Sequence, residues 1–441
     1  MRPVLLLVVA AGVGLAEPAA MRLGLKEAVD LALAPDGSAR ARIAAEIVRQ
    51  TEARSAQARA ALLPNVDASL VETNQTRNLA AFGIRIQVPI PGFQFPELVG
   101  PFSTLDVRAS ATQSVFDISS IRRYQASRAA VSAARSDNEA TRNQVTDTVA
   151  RAYLAALRSR ATLESVKANV AVAESLLKLV RSQKDAGTGT GIEVTRAEVQ
   201  LANERQRLLV TQNEVARGDL QLLKLTGLNL GTRLELTDRL GYVPVDAITV
   251  EAARELARRS RPEMKAQQER EASARLSYSA AKLERVPSVA AFGDYGAIGT
   301  GPDHLLPTRS IGLSLRVPVF DGGRRDARRA EAASVLRQEQ IRTRDLEAQI
   351  ELEVRLALES LESADGQVKT ASEGLRLAEN ELAQARRRYE AGVTTSLETT
   401  DAQARLERAR ENQVAALVSY NAAQIDLNTA LGRNQEFKSG R

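Results

Sequence analysis

The stretch Tyr389 to Asp401, Y-E-A-G-V-T-T-S-L-E-T-T-D, is written twice in this chain. A shift of 205 residues lays Ala186–Gly227 on Ala391–Gly432 without a gap, and ten of the 42 positions are identical. Gly187, Thr190, Glu193, Leu201, Arg205 and Gly227 recur as Gly392, Thr395, Glu398, Leu406, Arg410 and Gly432. A gapless register of that length marks an internal duplication.

Working outward, composition bounds the function classes. The 441 residues are 44% apolar and 26% charged, enough for a large core, and there is no Cys or Trp. Disulfides, thiol catalysis and a lipid-modified Cys are therefore excluded. The net charge of +6 is spread among interleaved acids with no long run of one sign, so there is no nucleic-acid footprint. Residues 1–16 read as a cleaved signal peptide: Arg2, the apolar run Val4–Val13, then Gly14-Leu15-Ala16. The expectation is an exported protein without a lipid anchor. No later stretch offers the roughly 20 apolar residues of a spanning helix.

Proline partitions the rest. Pro64, Pro89, Pro91, Pro96 and Pro101 crowd one window and Pro287, Pro302, Pro307 and Pro318 another, with none from Phe102 to Val243 or after Pro318. The proline-free stretches are helix country. Seven of the eight Phe residues fall in the two windows, so apolar aromatics are kept for a special surface. Inside the windows the period is two. Ile311, Leu313, Leu315 and Val317 alternate with Ser310, Gly312, Ser314 and Arg316, as Leu105, Val107, Ala109 and Ala111 do with Asp106, Arg108, Ser110 and Thr112. Each window predicts a β-hairpin, at about 65–117 and 287–320, with strands of about ten residues, the length that crosses a bilayer at a tilt. Asn78–Ser103 and Ala297–Thr308 are expected as the loop tips.

The predicted layout is a first repeat over 17–227, a linker over 228–248, a second repeat over 249–433 and a tail at 434–441. Each repeat carries a long helix (119–186 and 322–391) and a shorter returning helix (192–226 and 396–431). A long helix would measure about 100 Å at 1.5 Å per residue. Ser38–Leu63 and Pro262–Val286 supply a further helix each. Val194, Leu201, Leu208, Val215 and Leu222 recur every seven residues, the mark of a coiled-coil seam or of an ordinary helical-hairpin core.

The layout resembles the TolC-like outer-membrane efflux channels. L-L-P-N-V at 62–66 is echoed by R-V-P-S-V at 285–289, V-F-D at 115–117 by V-P-V-F-D-G-G at 317–323, and both Ala-Gly turns and L-N-T-A-L-G at 427–432 fit the pattern. The resemblance implies a mainly α protomer that contributes to a trimeric twelve-stranded membrane β-barrel in the outer membrane, continued by a periplasmic α-helical tunnel. Physical reasoning reaches part of this alone. Four strands leave two open edges that lipid cannot satisfy, so several chains must share one barrel. The implied role is the passive exit duct of a tripartite efflux or type I secretion system. Its implied partners are two further copies, outer membrane lipid, a periplasmic membrane-fusion adaptor and, through it, an inner-membrane pump. The alternative is a periplasmic coiled-coil adaptor or a trimeric adhesin without a pore.

Enzyme readings fail on the residues. His304 is the only histidine, which removes paired-His metal sites and leaves a Ser-His-Asp triad resting on one Gly/Pro-flanked loop. Gly187, Gly189 and Gly191 lack the strand and GK[ST] of a phosphate loop. No catalytic residue, metal or cofactor is expected. The arginines at 324, 325, 328 and 329 read better as a solvated helix face than as an anion site. Three sets of residues are assigned a role in transport. Glu398 and Asp401 stand three apart, hence on one helix face, and match the acidic pair of the pore constriction in the family. Tyr389 matches a tyrosine that latches the entrance, with Glu193 as the carboxylate it would donate to; the companion arginine of the family falls on Thr394. The turns at Gly187 and Gly392 are the expected adaptor contacts.

Overall fold

The computed structural model describes residues 20–84, 96–246 and 248–433. The leader expected at 1–16 and the tail at 434–441 lie outside the described residues. In chain order the elements are β1 (Met21–Leu23), α1 (Leu25–Leu33), α2 (Ala39–Ala60), β2 (Asn65–Asn78), β3 (Leu98–Phe116), α3 (Ile118–Asp185), α4 (Gly191–Thr226) and β4 (Leu234–Leu236). The second half repeats all but β1 and β4, as α5 (Val250–Ser260), α6 (Pro262–Leu283), β5 (Ser288–Gly299), β6 (Leu305–Arg316), α7 (Arg324–Glu390) and α8 (Ser396–Ala430). Two compact units result, and each draws on both repeats.

One unit comprises residues 47–135 and 265–344. Its centre is an antiparallel sheet in the order β2-β3-β5-β6. Directly paired residues share a face, so the register sorts the side chains. Leu70 pairs with Val107, Val107 with Ala297 and Ala297 with Pro307; Val66, Ala111, Gly293 and Ile311 form a second such row. The opposite face carries the rows Ser69, Arg108, Gly296, Thr308 and Asp67, Ser110, Asp294, Ser310. One face is thus apolar and one polar. Ile311, Leu313 and Leu315 are 87%, 74% and 67% exposed within the single chain. On the polar face Arg108 donates to Asp294 at 2.7 Å and contacts Asp106 at 3.2 Å, and the Phe292 ring lies over Gly312, its cross-strand partner.

The strands are longer than the sequence suggests: 14, 19, 12 and 12 residues. Gly100-Pro101 read as loop, yet both lie within β3. The register slips between Gln75 and Arg77, opposite this pair, and a bulge is one of the few places where a strand tolerates proline. The expected tip at 297–308 shrinks to a short turn around Pro302–His304, while residues 85–95 of the other tip are outside the described residues.

Both V-F-D motifs begin a long helix. Asp117 accepts the Ser120 amide at 3.0 Å and Asp321 accepts the Arg325 amide at 3.1 Å, which satisfies N–H groups the helix itself cannot. Two of the clustered arginines have acidic neighbours: Arg325 lies 3.4 Å from Asp321 and Arg328 lies 3.5 Å from Glu284.

The other unit holds residues 20–46, 136–264 and 345–433. Its elements include two short helices, α1 and α5, and the parallel pair β1–β4, none of which the sequence pattern announced. Tyr153 ties β1 to the segment after β4, its hydroxyl bonded to Leu23 O at 3.0 Å and Asp238 Oδ2 at 2.8 Å beneath a core of Val149, Ala152 and Leu222. The second repeat builds its equivalent from Ala253, Ala257, Ile350, Val354 and Leu427. Among the described residues no helix is long and apolar enough to cross a membrane.

Candidate functional site

The paired turns belong to the second of these units, where α3 passes to α4 and α7 to α8. Gly187 and Gly392 close them with φ of 76° and 69°, a left-handed conformation that costs a side-chain residue energy and glycine little. The Thr188 amide reaches back to Gln183 O at 2.9 Å and the Val393 amide to Arg388 O at 3.0 Å, so both long helices end in the same way. Ile192, Val393 and Leu397 stand exposed around them.

Glu193 and Glu398 occupy the same position in the two copies but make different bonds. Glu193 caps its own helix, accepting the Thr190 amide at 2.9 Å, and its other oxygen accepts Ser396 Oγ at 2.9 Å from the second repeat. The Thr190 amide, with Ser396 and the Thr190 hydroxyl adding to it, holds the Glu193 carboxyl below its ordinary range. A depressed pKa supplies stability above the ordinary carboxyl range that is lost as pH falls through the lowered value. Glu398 instead accepts from the Thr394 hydroxyl and pairs with Arg388 at 3.0 Å. Asp401, one helical turn on, is exposed. Glu398 and Asp401 therefore share one face of α8, with Arg388 beside Glu398.

The expected phenol-to-carboxylate bond is not formed. The Tyr389 hydroxyl is buried without a hydrogen-bond partner, and its ring packs with Leu176 and Val180 of α3. Burial, reinforced by the nearby charge of Glu193, raises the phenol pKa. Ser396 takes the place at Glu193 because a short hydroxyl at the first turn of α8 reaches the carboxylate directly, while the tyrosine ring is held in the apolar seam. Tyr389→Phe should accordingly be neutral or stabilising by up to about 1 kcal/mol, since it removes a buried hydroxyl with no partner. Thermal unfolding in detergent checks this. A clear loss of stability would place the hydroxyl in a bond.

Sequence reasoning also missed Arg388, which stands beside Glu398 where the family's companion arginine, expected at the Thr394 position, is absent. It missed a buried acid as well. In the α4 seam, Glu204 lies three residues after Leu201, where the heptad calls for an apolar side chain, and it is 2% exposed. The duplication carries the signal: Glu204 aligns with Ala409 and Glu407 with Ala202.

A family model described as outer membrane efflux protein matches residues 38–228 and 253–433, most of the chain. The pyoverdine export outer membrane protein OpmQ of Pseudomonas putida is 25% identical over 394 residues, covering 88% of this chain and 82% of OpmQ. TolC of Vibrio cholerae is 23% identical over 300 residues, covering 65% of this chain and 67% of TolC. Among solved structures, the outer membrane protein VceC of Vibrio cholerae superposes with a TM-score of 0.79 at 19% identity, covering 92% of this chain and 96% of VceC. The duplicated hairpins, the two-faced sheet and these matches agree: the chain belongs to the outer membrane efflux protein family of TolC-like channels.

Proposed function

We propose that three copies of this chain form one outer-membrane duct, a passive exit route that a periplasmic adaptor and an inner-membrane pump complete. The observation that carries the trimer is the four-stranded sheet with one apolar face, one polar face and edges at β2 and β6. An edge left in lipid has unsatisfied backbone groups, and closing it with further copies turns the apolar face to lipid and the polar face to water. Three copies give the twelve strands of the resemblance. The family consists of channel proteins, which supports a duct over an enzyme and over the adaptor or adhesin alternative.

Within this reading Glu398 and Asp401 form the narrow entrance, the Glu193–Ser396 bond and the Tyr389 ring hold the two turns together, and the exposed apolar residues at Gly187 and Gly392 receive the adaptor. OpmQ is named for pyoverdine export, and an alkaline protease secretion protein, AprF of Pseudomonas aeruginosa, is a relative at 24% identity, so cargo varies within the family. Mass measurement of the detergent-solubilised protein tests the trimer. Three times the protomer mass, with ion conduction in a planar bilayer, is the expected result; a stable folded monomer overturns it.

A further inference from the structure

Packing within each helical hairpin is apolar: Ala173 and Leu177 meet Ala197 and Leu201 between α3 and α4, and Leu382 and Ala385 meet Ala402 and Leu406 between α7 and α8. The seam where α3 and α4 meet α8 is different. Asn169 Nδ2 donates to Glu407 at 3.3 Å, Arg410 donates to Asn169 at 2.7 Å, and Arg207 lies 3.1 Å from both Glu407 and Glu411. Further along α8, Thr399 and Gln403 are 1% and 3% exposed, and their hydroxyl and amide atoms find no hydrogen-bond partner. Glu204 sits in this seam. One of its oxygens accepts the Gln200 amide at 3.1 Å and the other is buried without a donor.

We propose that Glu204 keeps its proton in the α4–α8 seam and donates it to Glu407, and that this bond clamps the returning helix of one repeat to that of the other. Two carboxylates cannot approach with both ionised, but a protonated Glu204 donates from its unpartnered oxygen and turns repulsion into a bond. The charged groups around it come from every side of the seam. On α8 Glu407 and Glu411 oppose ionisation of Glu204; on α4 Arg207 favours it; α3 contributes the neutral Asn169, with Arg410 of α8 bonded to it. Burial comes first, then Glu407, and together they push the Glu204 carboxyl from its ordinary 4.5 up to about 7. A raised carboxyl pKa stabilises the native seam fully below the ordinary value, and that contribution is lost as pH rises through the raised one. The clamp is therefore made in acid and released near neutrality, the opposite sense to Glu193. It is a property of a single chain; its bearing on conduction rests on the reading of the paired turns as the entrance.

The absence of native cysteine makes a direct test possible. In the full-length protein, Gln403→Cys places one thiol in the seam, and its rate of labelling by a maleimide reports how often the seam opens. The same reporter is placed in a Glu204→Gln chain, whose amide donates to Glu407 at every pH. The ratio of the two rates cancels the intrinsic pH dependence of the thiol. It should rise by about tenfold or more between pH 5 and pH 8, the released clamp being the only difference. Glu407→Gln should flatten the wild-type profile in the same way. Should Gln403→Cys fail to fold, Thr399→Cys serves as the reporter. A ratio that stays constant with pH overturns the clamp. Conductance of the same proteins in bilayers is read separately: a pH-dependent ratio with pH-independent conductance keeps the clamp and removes the entrance reading.

Discussion

Arginine at Ile311 and Leu313 together should leave no assembled protein in the outer membrane, whereas arginine at Ser310 and Ser314 should be tolerated. The four positions are interleaved on one strand, so composition and local backbone are nearly the same in the two variants. What differs is the face. Ile311 pairs with Gly293 and Leu313 with Ala291 on the apolar side, while Ser310 and Ser314 share the polar side with Asp294 and Ala290. A lipid-facing arginine near the middle of a barrel strand costs about 2–4 kcal/mol, and a trimer would carry each substitution three times. For two substitutions in three copies the total is about 12–24 kcal/mol, as large as or larger than the marginal stability of a folded domain. Fractionation of membranes followed by gel analysis of heat-resistant oligomers reads the result. Normal assembly of the Ile311/Leu313 variant, or failure of the Ser310/Ser314 variant alone, would reverse the assignment of the faces.

The second large effect is expected at the acidic pair. In planar bilayers the wild-type channel should pass cations in preference to anions and be blocked by a trivalent cation added on the periplasmic side. Glu398→Gln with Asp401→Asn should weaken the block by about tenfold or more and lose the preference, because three-fold symmetry would gather six carboxylates into one ring. The ion pair at 3.0 Å between Arg388 and Glu398 refines this expectation. It offsets charge at Glu398 and leaves the exposed Asp401 as the stronger contributor, so Asp401→Asn should lose more block than Glu398→Gln. Arg388→Gln should tighten the block. Equal block in the double variant and the wild type would put the constriction elsewhere.

Much of the fold was legible because its determinants are periodic. A period of two over Ile311–Val317, a heptad over Val194–Leu222 and proline concentrated in two windows each depend only on neighbours along the chain, and the duplication repeated the hairpins and the turns. The ends of the long helices were legible for the same reason: a glycine at positive φ and an aspartate at the first turn act within a few residues of themselves. The Gly100-Pro101 segment of β3 was not, since its place in a strand depends on a bulge that exists only through pairing with β2, where the two residues face Thr76 alone.

The site divides along the same line. Position in the repeat put Glu193, Tyr389, Glu398 and Asp401 at the turns, and only three-dimensional packing decided what each one touches. Ser396 rather than Tyr389 meets Glu193 because the tyrosine ring is drawn into the apolar contact with Leu176 and Val180. Glu204 and Glu407 lie about 200 residues apart in a chain where acids are common, so nothing local distinguishes them. Burial between helices from different repeats makes that pair exceptional, because desolvation and the approach of a second carboxylate exist only once the seam has closed.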